Sequence, residues 1–565
     1  MKGSKRGVFR TLLVLGVLAL LASLLTAPAT AGKDDNNGSG AENSRKVELR
    51  ILAINDFHGN IATSSGSFGG TGRADYLSTN VNAARAGADN SIFVSAGDLI
   101  GASPLISALF HDEPTIEAMN LMGLDINGVG NHEFDEGPAE LLRMQYGGSH
   151  PDDGDLDGTP FLGADFEFLA ANVNVDATGD TIFPSYTIKN YQGVRVAFIG
   201  MTLEGTPTIV TPSGVAGLTF HDEADTVNAL IPELQKKNIE AIVVLLHEGG
   251  SSNGGPQDCG DGLVGPVAEI VPRMDDAVDL VIAGHTNDEF ICEIDGKWVT
   301  MADTRGRLFT QIDVELNRVT KDLTVTAINN MSNLQGGVTP DPAVTALIDK
   351  YDALSAPLAN TVIGTTTTDI TRTPNSAGES ALGDIIADAQ LEATAPAGFG
   401  EAVVAFMNPG GIRASIDFVS SGPEADGEFT FGEAFGVQPF GNSLVTMTLT
   451  GEQIDTLLEQ QWVGQTSPRI LQVSDGFTYE WSAAAADGSR VDPASIKIGG
   501  VTVVPGTGYR VTVNSFLADG GDNFTVLVDG TDRLGGEVDL DALVTYFGAH
   551  SPVAPGPQDR IVRLP

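Results

Sequence analysis

The 565-residue sequence is poor in cysteine, in positive charge and in long apolar runs. Its 2 cysteines are Cys259 and Cys292. In an oxidising compartment they close one disulfide; otherwise they are two buried thiols. Lys and Arg number 31 against 74 Asp and Glu, a formal net charge of −43. A surface of that sign repels nucleic-acid phosphates and anionic membranes, so neither a nucleic-acid polymer nor a lipid headgroup is the expected partner. A small anionic substrate then needs a metal ion or a few arginines to reverse the sign locally. The one long apolar run, Thr11 to Leu25, follows Lys2, Lys5, Arg6 and Arg10 and precedes Ala29-Thr30-Ala31. It is short for a membrane span and reads as a signal peptide over 1–31, with a disordered lead-in expected over 32–45. No cysteine stands directly after it, as a lipid anchor would need, and no hydrophobic tail ends the chain. The expectation is a protein secreted to the periplasm, cell wall or medium without a membrane anchor.

What is present is an alternation of strands and helices. Lys46 to Ile54 is β-branched enough for a strand ending at Asn55-Asp56, and Ser91 to Ser95 is a second. Val194 to Ile199, Ala241 to Leu246 and Val278 to Ala283 are short continuous apolar runs, as expected of strands buried on both faces. Helical segments such as Glu113 to Met122 and Glu223 to Lys236 lie between them, which predicts a layered α/β region over 46–338. Asp341 to Leu358 has helical spacing and reads as a linker helix within 339–360. Beyond it the pattern restarts over 361–565, with a Thr-rich strand at 362–369, a helix at Ala381 to Glu392 and a strand at Ala402 to Met407. No internal repeat is visible. Asp153, Asp155 and Asp157 with Gly158 match the start of a calcium loop, D-x-D-x-D-G. Position twelve is Ala164 and Pro160 falls inside, so a solvated acidic loop is expected instead.

Polar residues collect at the ends of the predicted strands. Asp56 and His58 follow the first as NDFHGN, and Asp98 follows the second in SAGDLIG. Asn131 and His132 follow a third in GNHEFD, His247 follows AIVVLL, and His285 with Asn287 follows VDLVIAG in GHTN. Ligand sites in open α/β sheets lie beyond the carboxyl ends of strands. The chain has 8 histidines, and His58, His132, His247 and His285 all stand at strand exits. Imidazole, carboxylate and amide oxygen together suit divalent ions of borderline character such as zinc or manganese. The set is too large for one tetrahedral ion and right for two ions sharing a carboxylate, an arrangement suited to phosphoryl transfer.

The order D-x-H, GD, GNHEFD, His after a strand, GHTN resembles the calcineurin-like dimetal phosphoesterases. GNHEFD and the second half are similar to the secreted 5′-nucleotidase family, which includes bacterial UDP-sugar hydrolases and 2′,3′-cyclic-nucleotide phosphodiesterases. The resemblance covers roughly residues 47–560. It implies an N-terminal layered αββα metallophosphoesterase domain joined by a helix to a C-terminal α+β nucleotide-recognition domain. It also implies two divalent metal ions, one on Asp56, His58, Asp98 and Asn287, the other on Asp98, Asn131, His247 and His285. Some relatives carry Gln or His where Asn287 stands. His132 would stabilise the transition state or protonate the leaving oxygen, with Asp135 orienting its ring.

In the second half, Asn408-Pro-Gly-Gly-Ile-Arg413 follows a strand; its glycines let backbone approach a ligand and Arg413 offers a planar fork for oxygens. By the resemblance, Phe440 and Phe516 sandwich the base, Asp522 takes the ribose hydroxyls, and Arg372 joins Arg413. The expected reaction is phosphate release from nucleoside 5′-monophosphates by dimetal-activated hydroxide attack, with UDP-sugars or 2′,3′-cyclic nucleotides as further substrates. The linker helix region is expected to let the halves open and close. A related hydrolase with a non-nucleotide substrate, such as a thiosulfate adduct, and a non-catalytic secreted binding protein are the alternatives. Oligomeric state leaves no signature in the sequence.

Overall fold

The computed structural model describes residues 45–210 and 214–565. The segment read as a signal peptide and all but the last residue of the expected lead-in lie outside the described residues. Among those described, no helix is long and apolar enough to cross a membrane.

Strand Lys46–Ile54 lies in a six-stranded sheet with Ser91–Ser95, Ile126–Gly128 and Glu167–Leu169, paired parallel in that order. On its other side Leu308–Asn317 and Leu323–Ser332 complete the sheet antiparallel. A second six-stranded sheet runs Glu289–Ile294, Lys297–Ala302, Leu280–Ala283, Ala241–His247, Val194–Thr202, Tyr186–Tyr191. Its four central strands are parallel, so the predicted buried runs are buried on both faces. Alternation explains the layering: side chains of successive strand residues point to opposite faces. Ile51, Ala53, Val243 and Leu245 meet between the sheets. Leu52 and Ile54 face a helical layer with Ile116 and Met119, while Val244 and Leu246 face Val227, Ile231 and Leu234 of helix Glu223–Lys236. At Gly200 the sheets close to backbone contact, since a Cβ there would lie 2.5 Å from that of Leu169.

Cys259 and Cys292 form a disulfide, tying the loop after His247 to edge strand Glu289–Ile294. The linker is helix Pro342–Ala359, capped by the Asp341 carboxylate on Ala343 N–H with Pro at its first position, where the missing N–H costs nothing. Its buried residues Val344, Ile348, Tyr351 and Ser355 recur at one-face spacing. That stripe packs on helices Leu105–Ala108 and Glu113–Met122 before it and on helix Phe431–Val437 after it. The acidic loop is not uniformly solvated. The Asp157 carboxylate is 1% exposed, pairs with the Lys350 ammonium and lies 3.1 Å from the Tyr351 hydroxyl, so it anchors the linker helix.

The second half holds a five-stranded sheet, Gln472–Val473, Val404–Met407, Gly508–Asn514, Ser443–Thr450, Thr531–Val538. Helices Ala381–Thr394 and Asp539–His550 cover one face through Ile385, Leu543 and Phe547. Phe406, Val511 and Val513 face helix Gly451–Glu459 and strand Phe477–Ser482 on the other. The Thr-rich strand is shorter than expected, Val362–Thr365, where it pairs with Glu428–Thr430.

Candidate active site

The carboxyl ends of the parallel strands of the two sheets meet, and there the predicted residues converge. Asp56, His58 and Asp98 sit in tight turns at φ of 48°, 47° and 51°. This left-handed backbone turns each strand exit inward and is tolerated by Asp better than by most residues. Their loops are stitched together, Asp56 N–H to Gly97 O at 3.0 Å and His58 N–H to Asp98 O at 2.9 Å. Glycine is required beside them: a Cβ on Gly130 would lie 2.3 Å from Asp98 Oδ1. Glu133, which sequence reasoning missed, locks the arrangement. Its carboxylate accepts from the N–H groups of Asp98 (2.9 Å), Leu99 (2.9 Å) and Gly130 (2.8 Å), joining the GD and GNH segments.

At the centre, Asn131 Oδ1 lies 3.1 Å from His247 Nε2 and 2.9 Å from His285 Nδ1. Asp98 Oδ2 is 3.1 Å from His247 Nε2 and 3.7 Å from His58 Nε2, and Asp56 Oδ1 is 3.9 Å from the latter. Asp98, His247 and His285 each offer a ligand atom within 4.8 Å of the others, as do His58, Asp98 and His132. Asn287 is exposed, and its amide donates back to His285 O at 3.0 Å.

The donor chemistry fits divalent cations. His58 donates from Nδ1 to Gly101 O at 2.9 Å, so its Nε2 keeps a lone pair, and that atom is buried with no hydrogen-bond partner. Burial pulls the pKa of His58 and His285 down to about 3, leaving both neutral and able to coordinate. Asp56 and Asp98 are 0% and 1% exposed, and no Lys or Arg forms an ion pair with either among the described residues. Burial lowers the pKa of His247, but Asp98 and Asp56 outweigh it and push it up to about 10. The carboxylates demand positive charge, which a metal supplies more compactly than an imidazolium.

His132 stands at the rim of this cluster, beside His58 and Asp98. Its Nδ1 meets Asp135 Oδ2 at 2.7 Å and its backbone N–H donates to Asp98 Oδ1 at 2.9 Å. Burial lowers its pKa, but the Asp135 and Asp98 charges overcome that and raise it. Its ring lies parallel to that of Phe440, centroids 5.8 Å apart and 13° between planes.

Phe440 comes from the second half of the chain. With Phe516, Asn408, Arg413 and Asp522 it lines the same cavity of about 180 Å³ as Asn131, His132 and His285. Arg413 lies over Phe440, its Cζ 5.8 Å from the ring centroid. Gly521 has a role here, since a Cβ would strike the Phe516 ring at 2.5 Å. Arg372 instead lines the neighbouring cavity beside Trp462 and Trp481, and its guanidinium donates to Ile412 O. Arg469 and Asn514 line the main cavity too and were missed, because neither stands in a motif that announces a ligand.

Residues 49–288 match the calcineurin-like phosphoesterase family model and 362–529 that of the 5′-nucleotidase C-terminal domain. Cell wall protein Lmo0130 of Listeria monocytogenes is 32% identical over 562 residues, 94% of this chain and 70% of its own length. Endonuclease YhcR of Bacillus subtilis is 33% identical over 91% of this chain, which spans 41% of that protein's length. Among solved structures, a 5′-nucleotidase precursor from Thermus thermophilus superposes with a TM-score of 0.75 at 26% identity, covering 92% of this chain and 99% of that one. With both family models matched in order, the chain belongs to the 5′-nucleotidase family and is a phosphoester hydrolase with a calcineurin-like phosphoesterase domain and a 5′-nucleotidase C-terminal domain.

Proposed function

We propose that the protein is an exported, metal-dependent hydrolase of nucleoside 5′-monophosphates, with UDP-sugars or 2′,3′-cyclic nucleotides as further substrates. One observation carries this reading. A single cavity is lined by Asn131, His132 and His285 from the first half and by Phe440, Phe516, Arg413, Arg469 and Asp522 from the second. Asp56, His58, Asp98 and Asn287 would hold one divalent ion, and Asp98, Asn131, His247 and His285 a second, zinc, manganese or an ion of similar character. Bound there, such ions supply Lewis-acid neutralisation of phosphoryl charge and lower the pKa of water.

The chain's own residues do the rest. Asp135 Oδ2 accepts from His132 Nδ1–H and, with Asp98, favours the doubly protonated ring, whose Nε2–H then donates to a phosphoryl oxygen or to the leaving 5′ oxygen. Arg413 places a guanidinium beside the same phosphate. Phe440 and Phe516 offer ring faces to the base, which stacking accepts without regard to its identity. Asp522 accepts hydrogen bonds from the ribose hydroxyls. The similarity to a cell wall protein and the basic-apolar-small pattern of residues 1–31 support export.

The test is phosphate release from AMP, 2′,3′-cyclic AMP, UDP-glucose and p-nitrophenyl phosphate by chelated protein with single metals returned. The reading expects metal-restored turnover of AMP well above that of p-nitrophenyl phosphate. Equal rates on all four would overturn the nucleoside-gripping role of the second half.

A further inference from the structure

The carboxylate given to the ribose is already engaged. Asp522 stands in a left-handed turn, φ 56°, within Gly521–Asn523 and is 4% exposed. Its Oδ2 accepts from Asn408 Nδ2 at 2.9 Å, and Asn408 is fixed in turn by Asn514 at 3.0 Å. Its Oδ1 takes an N–H of the Arg469 guanidinium. The loop that carries Arg469 is clamped to the same turn by Gln465, which donates to Asp522 O at 2.7 Å, and closed on itself by Arg469 N–H to Gln461 O at 2.9 Å. Arg469 is therefore held over the sugar side of the cavity by its own loop as well as by the ion pair.

A guanidinium has five N–H donors. One goes to Asp522; among the described residues the others make no hydrogen bond, and the side chain is 31% exposed. A bare Asp522 in a chain of net charge −43 would repel any anion on the ribose. The pair cancels that charge and leaves a planar fork of free donors, the geometry that matches phosphate oxygens.

We infer that Arg469 makes the sugar edge of this cavity a second phosphate subsite, so that the substrates include nucleoside 5′-phosphates bearing another phosphate on the ribose 2′ or 3′ oxygen. The inference rests on the nucleotidase reading above. In the step, water adds its oxygen to the 5′ phosphorus and a proton goes to the 5′ oxygen as the P–O bond breaks. The products are orthophosphate and a nucleoside 2′- or 3′-phosphate.

The experiment compares AMP with adenosine 3′,5′-bisphosphate on metal-loaded protein, following the nucleoside product by chromatography and binding by calorimetry. Wild-type kcat/KM for the bisphosphate is expected within about tenfold of that for AMP. Arg469→Gln keeps a donor for Asp522 and removes the charge; it should lower the bisphosphate-to-AMP ratio of kcat/KM, and of affinity, by at least about tenfold. Arg469→Lys should recover most of that ratio, and it serves alone if the Gln variant melts early. Wild-type discrimination beyond tenfold against the bisphosphate, or an equal loss on both nucleotides in Arg469→Gln, overturns the inference. If neither nucleotide is hydrolysed yet the affinity ratio falls, the nucleotidase reading fails and the subsite stands.

Discussion

His132 is held at three points: its ring by Asp135, its backbone by Asp98, and its flank by Phe440. Removing the ring should leave the metal-binding side chains in place, because those are fixed by Glu133 and by backbone bonds to other loops. His132→Ala is expected to lower kcat on AMP at least about 100-fold without changing metal content measured by elemental analysis. Unchanged kcat would remove His132 from the chemistry. The histidines and carboxylates of this site were legible because each follows a short apolar run at a Gly or Asp, a pattern local in sequence. Glu133 and Arg469 were not legible in the same way. Their meaning lies in contacts to Asp98, 35 residues away, and to Asp522, 53 residues away, and no local pattern encodes such pairs.

At the scale of elements, the strands and helices with continuous apolar runs stand where sequence periodicity put them, as Lys46–Ile54, Glu113–Met122 and Glu223–Lys236 do. Short strands fixed only by pairing, such as Glu167–Leu169, carry too few residues for a period to show. The loop of His111 gives an element-scale prediction. Its Nδ1 bonds Glu136 at 2.9 Å and its Nε2 bonds Asp153 at 3.0 Å, joining the segment before helix Glu113–Met122 to the acidic loop. The Glu136 hydrogen bond leads in raising its pKa from 6.5 to about 9, against burial. The folded state thus binds this proton more tightly than the unfolded state. Its stabilisation is complete below the unfolded value of 6.5 and is lost as pH rises through about 9. After screening at partly exposed partners it amounts to roughly 1 kcal/mol. Wild type and His111→Ala should differ in thermal midpoint at pH 6 and converge by about pH 10; a constant difference would assign His111 to packing alone. The disulfide spans 33 residues, so replacing Cys259 and Cys292 by Ala should cost about 4 kcal/mol of stability, read by denaturant unfolding against the wild type.

For the whole molecule, the cavity is walled by both halves of the chain, and short helix Thr206–Thr208 packs on the Asp522 turn Gly521–Asn523. A nucleotide held there should slow hydrogen exchange of residues 206–210, measured on metal-loaded protein with and without product nucleoside and phosphate. No change on saturation would place the bound nucleoside elsewhere. Metal removal should also act globally. Asp56 and Asp98 are then left buried without a full countercharge, so chelated protein is expected to melt below the reloaded protein, the gap closing when zinc or manganese is returned.

Strand Lys46–Ile54 delivers Asp56 and His58, yet one of its two neighbours is Leu308–Asn317, with Lys46 opposite Asn317. On a ribosome, the first of these side chains emerges about 250 residues before the strand that frames it. His285 arrives late as well, and its backbone N–H binds both oxygens of Asp56 at 3.0 Å. A nascent chain that ends before His285 lacks a member of the cluster, so complete metal capture belongs to the later part of folding rather than to its beginning.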